Sequence, residues 1–411
     1  MLNLGTLIQY YRTKKGVTQK ELANGICSIS YLSKIENGSI EPRDDVIKEL
    51  CERLDVPFER LTSINHEIDD EILNVYKLLT KKNYQAAQRL LNELKQIITP
   101  FHSAKTQNFF KLIEFYYLIE YRQTEELDQR VDDLLSLEEQ FHEEHLYFFY
   151  KIIGMYYNFK ASPNQAINYL RSAENLLEQL SVKDPTIYYL LAVTYTSMDR
   201  PAYSNHYCQL AKELFISEFL YPKVTDCYIL FGINYTLLKV YDLAESFFRQ
   251  VLNSKPMMDA DLVNGWVKHN LGFLYSEKGD WHLALQTLKE ALDEESHLND
   301  QLTTTYLIAK VYYYMQENEM ASEYINKGER LSLQLNNTKL TYKLEMLRYL
   351  VNDTYTETEF REKAFNLWIP YFKRTGDFRS LKETLKYIAK SFEKSGDYKQ
   401  ANQYFKKILH E

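Results

Sequence analysis

Ser30, Tyr31 and Lys34 stand three and four residues apart, so a helix turns all three toward one side, with Ser28 just ahead of them. Hydroxyls that both donate and accept, beside an ammonium, can read base edges and hold phosphate oxygens. Gln19, at the start of the preceding helical segment, extends the same set toward a phosphate or a base, and Thr18, Asn37, Ser39 and Arg43 flank it as phosphate-contact candidates. Other chemistry is harder to find. His142 and His145 are three apart and fit metal ligation, but Glu126, Glu138 and Glu139 nearby fit a solvated charged face better. No phosphate-binding glycine loop and no nucleophile motif occurs, and the 57 Asp and Glu are scattered. These residues give no enzyme signature and imply no cofactor.

The elements that must position the polar set run from Val17 to Gly38, VTQKELANGICSISYLSKIENG. Leu22 and Ala23 face inward on a short first helix, and Ala23 is small enough for a second helix to approach. Asn24-Gly25 breaks that helix, both residues tolerating positive φ. Ser28 is a helix N-cap, Leu32 and Ile35 face the core, and Asn37-Gly38 ends the second helix where the left-handed conformation is cheap. A first helix carries Leu4, Leu7, Ile8 and Tyr11; a fourth opens at Pro42 and Asp44-Asp45 with Val46, Ile47, Leu50 and Leu54 inside; Pro57-Phe58-Leu61 closes the unit. This is helix-turn-helix geometry, with a second helix short and polar enough for a DNA major groove. Residues 1–40 hold five Lys and Arg against two Glu, a net of +3 on a chain of net −8, which is a local footprint for phosphate. Glu36 is assigned to a structural bond with the turn or a neighbouring Arg, because a carboxylate facing DNA repels phosphate.

This block resembles the Xre/Cro-type helix-turn-helix. Gly25-Ile26-Cys27, Ser30 to Glu36 and Gly38 resemble more narrowly the peptide-pheromone-sensing regulators of Gram-positive bacteria, the group of Rgg, PlcR, PrgX and NprR, with the Rap proteins as relatives lacking the DNA-binding domain. The turn is one residue shorter than in the commonest Xre pattern, as in the PlcR-like branch.

The 411 residues suffice for two or more domains, and scarce glycine (12) and proline (9) beside 45% apolar residues fit a mostly helical chain. No apolar run opens the chain, so no secretory signal is expected. The most apolar stretch, Leu146 to Phe159, contains Lys151 and is too short to span a bilayer. Four cysteines without metal spacing fit a reduced cytoplasmic protein. Residues 62–70 are polar and read as a linker between a DNA-binding domain at 1–61 and a repeat domain at 71–411. A small residue, an aromatic or Leu three later, a turn, and a small residue twelve later recur: Gly272, Tyr275, Gly279-Asp280-Trp281, Ala284 is the clearest copy. Anchors at 75, 154, 192, 232, 272, 309 and 389 leave two gaps for degenerate units, giving about nine helical hairpins at a spacing of about 39 residues. The small residues mark where paired helices cross, and the aromatic fills the space between hairpins.

The repeat resembles the tetratricopeptide repeat, so the expected fold is all-α, a helix-turn-helix bundle followed by a right-handed tetratricopeptide superhelix. By that resemblance its concave face holds a short peptide or a partner helix. Asn270 stands out, since its amide can donate to and accept from a peptide backbone at once, as an asparagine two before the glycine does in the Rap-like sensors; an asparagine there also satisfies itself within its own helix. Asn158 and Asn234 are lesser candidates. Lys151 and Lys310 suit a peptide carboxylate, or solvent. Trp266, Phe273, Tyr306 and Tyr313 suit apolar pockets for ligand side chains, or ordinary packing between repeats. The resemblance implies a cytoplasmic quorum-sensing regulator whose partners are double-stranded operator DNA, a short imported signalling peptide and itself as dimer or tetramer. It leaves open a second role, a Rap-like module acting on a response regulator. No membrane partner is implied.

Overall fold

The described residues form α-helices and no strand; the computed structural model describes the chain except residues 1–3, 38, 41, 57, 99–101, 122–123, 181–182, 255–259, 296 and 411. The helix-turn-helix comprises α1 (Leu4–Lys14), α2 (Gln19–Ala23), α3 (Ile29–Glu36) and α4 (Asp44–Arg53). The helices that follow pair into nine hairpins among the described residues. They are α5 (Phe58–Thr80) with α6 (Tyr84–Ile97), α7 (Ala104–Glu120) with α8 (Thr124–Leu135), α9 (Glu143–Phe159) with α10 (Pro163–Leu180), and α11 (Pro185–Ser197) with α12 (Pro201–Ser217). Next come α13 (Tyr221–Leu237) with α14 (Tyr241–Asn253), α15 (Ala260–Lys278) with α16 (Trp281–Glu294), and α17 (Leu298–Tyr314) with α18 (Asn318–Gln334). The eighth pairs α19 (Thr338–Val351) with α20 (Thr358–Lys363) and α21 (Ile369–Thr375), which a π-helical turn at Ala364–Trp368 joins; the last is α22 (Phe378–Lys394) with α23 (Tyr398–His410). The segment 62–70 lies inside α5, so it is a helix rather than an irregular linker. No described helix is long and apolar enough to cross a membrane.

The chain divides into two compact units, residues 1–153 with 176–180, and residues 154–175 with 181–411. Within the first, the helix-turn-helix has its own core of Ile8, Leu22, Ala23, Leu32, Ile35, Ile47, Leu50 and Leu54. Its closest approach is at Gly5, where a β-carbon would overlap the Ile35 carbonyl, so α1 lies directly on α3. Of the Asn24-Gly25 pair only Gly25 has positive φ, at 76°; Asn24 is at −55°. Asn37 ends α3 at φ −87°, not left-handed, while Gly38 and Pro57 fall outside the described residues.

In the hairpins a glycine on the first helix meets a large side chain sixteen residues later on the second. A β-carbon on Gly232 would come within 2.5 Å of the Phe248 ring, and one on Gly272 within 2.5 Å of Leu288. The repeat aromatics serve two contacts: Tyr275 reaches back to Glu245 on α14 of the preceding hairpin at 3.1 Å, while Tyr235 stacks on Phe247 inside its own hairpin at 5.7 Å. The turns repeat too: Asp199, Lys239 and Gln316 hold the left-handed conformation that Gly279 and Gly396 hold in other copies. In the second unit α22 closes on earlier repeats: Lys382 bonds Asp199 on the α11–α12 turn at 3.1 Å, and Arg379 pairs with Glu277 of α15 at 3.7 Å.

Phe248 is fully buried and cannot yield to a new side chain. Gly232→Val is expected to lower stability by about 1–3 kcal/mol, whereas Tyr203→Ser, at a side chain 60% exposed, changes it by less than about 0.5 kcal/mol. Urea unfolding midpoints of the two variants check this.

Candidate functional site

The helix-turn-helix is fixed by a three-way junction. Glu36, at the end of α3, is 1% exposed in its side chain and receives Arg12 Nε from α1 at 2.6 Å. Arg12 Nη2 and Gln19 Nε2 of α2 both donate to its other oxygen, at 3.0 and 2.7 Å. Arg12 Nη1 adds a bond to the Val17 carbonyl at 3.0 Å. A bidentate guanidinium–carboxylate pair sets angle as well as distance, so it orients three helices at once. Glu36 therefore makes the structural bond assigned from the sequence, and its charge is cancelled before it reaches the outer face. The same pair removes Arg12 from the free basic footprint and ties up the amide nitrogen of Gln19.

Thr18 caps α2 in a reciprocal box with Glu21. Ser28 caps α3, its hydroxyl oxygen accepting from the Tyr31 amide at 3.1 Å. Ser30 and Lys34 are exposed with no side-chain partner among the described residues, and Tyr31 is half-buried against the core. Asn37, Ser39 and Arg43 are exposed, Arg43 beside Asp45 at 3.6 Å. Ile29, which lies off the core face of α3 but is not among the contact candidates, begins the helix and is 47% exposed. An apolar side chain in water on a polar helix is the signal that marks it.

The repeat-domain candidates divide. Asn270 is nearly buried and its amide nitrogen donates to the Trp266 carbonyl one turn back at 2.8 Å. Trp266 beside it is 41% exposed. Next to them His269 Nδ1 lies 2.6 Å from the Thr304 hydroxyl, which donates to Glu295 at 2.7 Å. While Glu295 is ionised the hydroxyl hydrogen is spent on it, and Nδ1 then carries the proton that His269 donates. Burial lowers His269 to about 4 and raises Glu295 to about 7. Phe273, half-buried, lies under the Arg379 guanidinium at 4.7 Å. Tyr306 is buried, Tyr313 half-buried, and Lys310 pairs with Glu383 at 2.8 Å. These residues come together on α15, α17 and α22.

Three candidates are corrected. Lys151 is 1% exposed, bonds the Tyr76 hydroxyl and lies 4.9 Å over the Tyr76 ring, so it faces the core of the first unit rather than a ligand. Asn158 donates to the Leu190 carbonyl at 3.3 Å and accepts from Thr194. Asn234 is fully buried, donating to Ser204 and Asn205 and accepting from Thr196. Both amides join neighbouring repeats, and for the buried Asn234 an unmade hydrogen bond would cost more than one shared between hairpins. His145 stacks on Phe109 at 4.1 Å, and burial holds it near 4. Among the described residues no group of metal-ligating side chains gathers. Lys343 and Arg379 went unnoticed in the sequence, since they lie in a degenerate unit and ahead of the last anchor.

A helix-turn-helix family model matches residues 8–61. The transcriptional activator NprA of Geobacillus stearothermophilus is 28% identical over 402 residues, 94% of this chain and 97% of NprA. The regulatory protein RapD of Bacillus subtilis (strain 168) is 23% identical over 249 residues, 59% of this chain and 69% of RapD. The crystal structure of NprR in complex with its cognate peptide NprX superposes with a TM-score of 0.71 at 21% identity, covering 84% of this chain and 97% of that one. The shared fold is an Xre-like helix-turn-helix with tetratricopeptide-type repeats.

Glu36→Ala leaves Arg12 and Gln19 without their acceptor and is expected to cost about 3 kcal/mol, read as an early melting step. Removing both charges together, as Arg12→Met with Glu36→Leu, should recover most of that loss.

Proposed function

We infer that this chain is a transcription regulator of the peptide-sensing NprR type. The observation that carries it is the 28% identity with a transcriptional activator over 94% of the chain, a coverage wide enough to include both the helix-turn-helix and the repeats. It works in the cytoplasm, as a dimer or tetramer. Residues 1–61 bind DNA, 62–70 connect as helix, and 71–411 bind peptide and assemble. The second helix of the motif, α3, enters the major groove. Ser30, Tyr31 and Lys34 meet base edges or nearby backbone, Ser28 contributes at the helix start, and Ile29 meets a thymine methyl. Thr18, Asn37, Ser39 and Arg43 hold phosphates, and Gln19 reads a base edge, accepting from it at the carbonyl oxygen that its bond to Glu36 leaves over. Two copies reading half-sites about 34–36 Å apart need a fixed spacing between their recognition helices.

The repeat domain takes a short imported peptide across α15 and α17. Asn270 leaves the Trp266 carbonyl to clamp the peptide backbone, while Trp266, Phe273, Tyr306 and Tyr313 receive side chains and Lys310 a charge. The peptide acts only as far as it binds one arrangement of the oligomer more tightly than another, and by that difference it changes operator affinity.

The similarity to RapD over 59% of the chain supports a second reading, a module that binds a response regulator and acts on its phosphoryl group under control of the same peptide. Capture of a phosphorylated receiver domain by the full chain, lost when peptide is added, favours it.

Fluorescence anisotropy on the chain's own upstream DNA tests the first reading. Lys34→Ala is expected to weaken binding about tenfold and to flatten its salt dependence. Unchanged affinity removes Lys34 from the DNA contacts.

A further inference from the structure

The facing sides of α17, α19 and α22 gather more positive than negative charge. Lys310 pairs with Glu383 at 2.8 Å, and Lys339 with Asp377 at 2.7 Å. Arg379 is shared between Glu277 at 3.7 Å and the Phe273 ring. Lys343 is left over. Among the described residues it has no hydrogen bond and no ion pair; its one contact of this kind is the Tyr306 ring, 4.7 Å away. Tyr306 and Tyr387 are both nearly buried, and neither hydroxyl has a hydrogen-bond partner among the described residues. One half-buried ammonium and two unpaired hydroxyls thus surround the Lys310–Glu383 pair. None of these donors is spent on another side chain among the described residues and each still reaches solvent, so all three stay open to an acceptor that a ligand supplies.

The charge balance agrees with the geometry. Burial lowers Lys343 to about 8, although Glu383 and Asp377 pull it upward. Burial raises Glu383, yet Lys310 and Lys343 outweigh it and hold the carboxyl at about 2. One more negative group is what the site lacks.

We propose that Lys343, with the Tyr306 hydroxyl beside it, is a carboxylate-binding subsite that takes the terminal carboxylate or an Asp or Glu side chain of the peptide ligand. Glu383 is the internal anion that competes for the same cations. This rests on the reading that the repeat domain binds a peptide. A carboxylate here gains charge-assisted hydrogen bonds from groups that now have none. It also lies within electrostatic reach of Lys310 and Glu383, so the ligand's charge is read by groups of α17, α19 and α22 together.

Affinity selection with mass spectrometry on the full chain tests it. One pool holds random heptapeptides with free C-termini and Asp and Glu included. The other holds amidated heptapeptides with Asn and Gln in place of Asp and Glu. The wild-type protein is expected to retain the acidic pool at least tenfold over the amidated one. Lys343→Met should bring the two pools level, and Lys343→Arg should keep the preference. Glu383→Gln, which frees Lys310, should raise retention of the acidic pool and stands as a second measure if Lys343→Met does not fold. Equal retention of both pools by the wild type, an unchanged preference in Lys343→Met, or no gain in Glu383→Gln overturns the subsite and leaves peptide binding standing. Retention of neither pool by the wild type removes the peptide reading, and the subsite with it.

Discussion

A helical hairpin of some forty residues has one apolar face and nothing of its own to bury it against, so every repeat depends on the next. The contact that makes this work is small against large. Gly232 sits under Phe248 and Gly272 under Leu288, so the backbones close and the paired helices cross at a fixed place. From that crossing the aromatic three residues on turns back toward the preceding hairpin, where Tyr275 reaches Glu245. Repetition of one crossing sets α15, α17, α19 and α22 beside one another, and the ion pairs from α22 to α15 and α17 follow from that placement. A ligand bridging these helices acts on the spacing of repeats rather than on one side chain.

The helix-turn-helix solves a smaller problem differently. Its apolar core is only a handful of residues, and the buried Arg12–Glu36 pair with Gln19 supplies the orientation that the core is too small to define. The outer side of α3 is then free to be polar. Ser30 and Lys34 are exposed because nothing in the fold needs them.

The sequence is most legible where one residue type answers one geometric need. Gly232 and Gly272 announce helix crossings, Ser28 announces the start of α3, and a carboxylate among basic residues announces a structural Glu36. It is least legible where a polar side chain has two outlets. Asn158, Asn234 and Lys151 look like ligand groups by spacing, but their partners Thr194, Ser204 and Tyr76 lie on other helices, and only the packed structure brings them within reach. The segment 62–70 is polar enough for a linker and still helical, because a long helix tolerates a polar stretch once its ends are held. The degenerate eighth hairpin, with its π-helical turn, lacks the anchor residues, and so Lys343 had no pattern to stand out from.

The measurement that bears most directly on the account is operator binding by the purified chain, with light scattering on the same samples. Both are run with and without synthetic peptides cut from any small reading frame that lies beside its gene. One peptide is expected to change DNA affinity and particle mass together. DNA binding that no peptide alters, at unchanging mass, contradicts it and turns the repeats toward a protein partner.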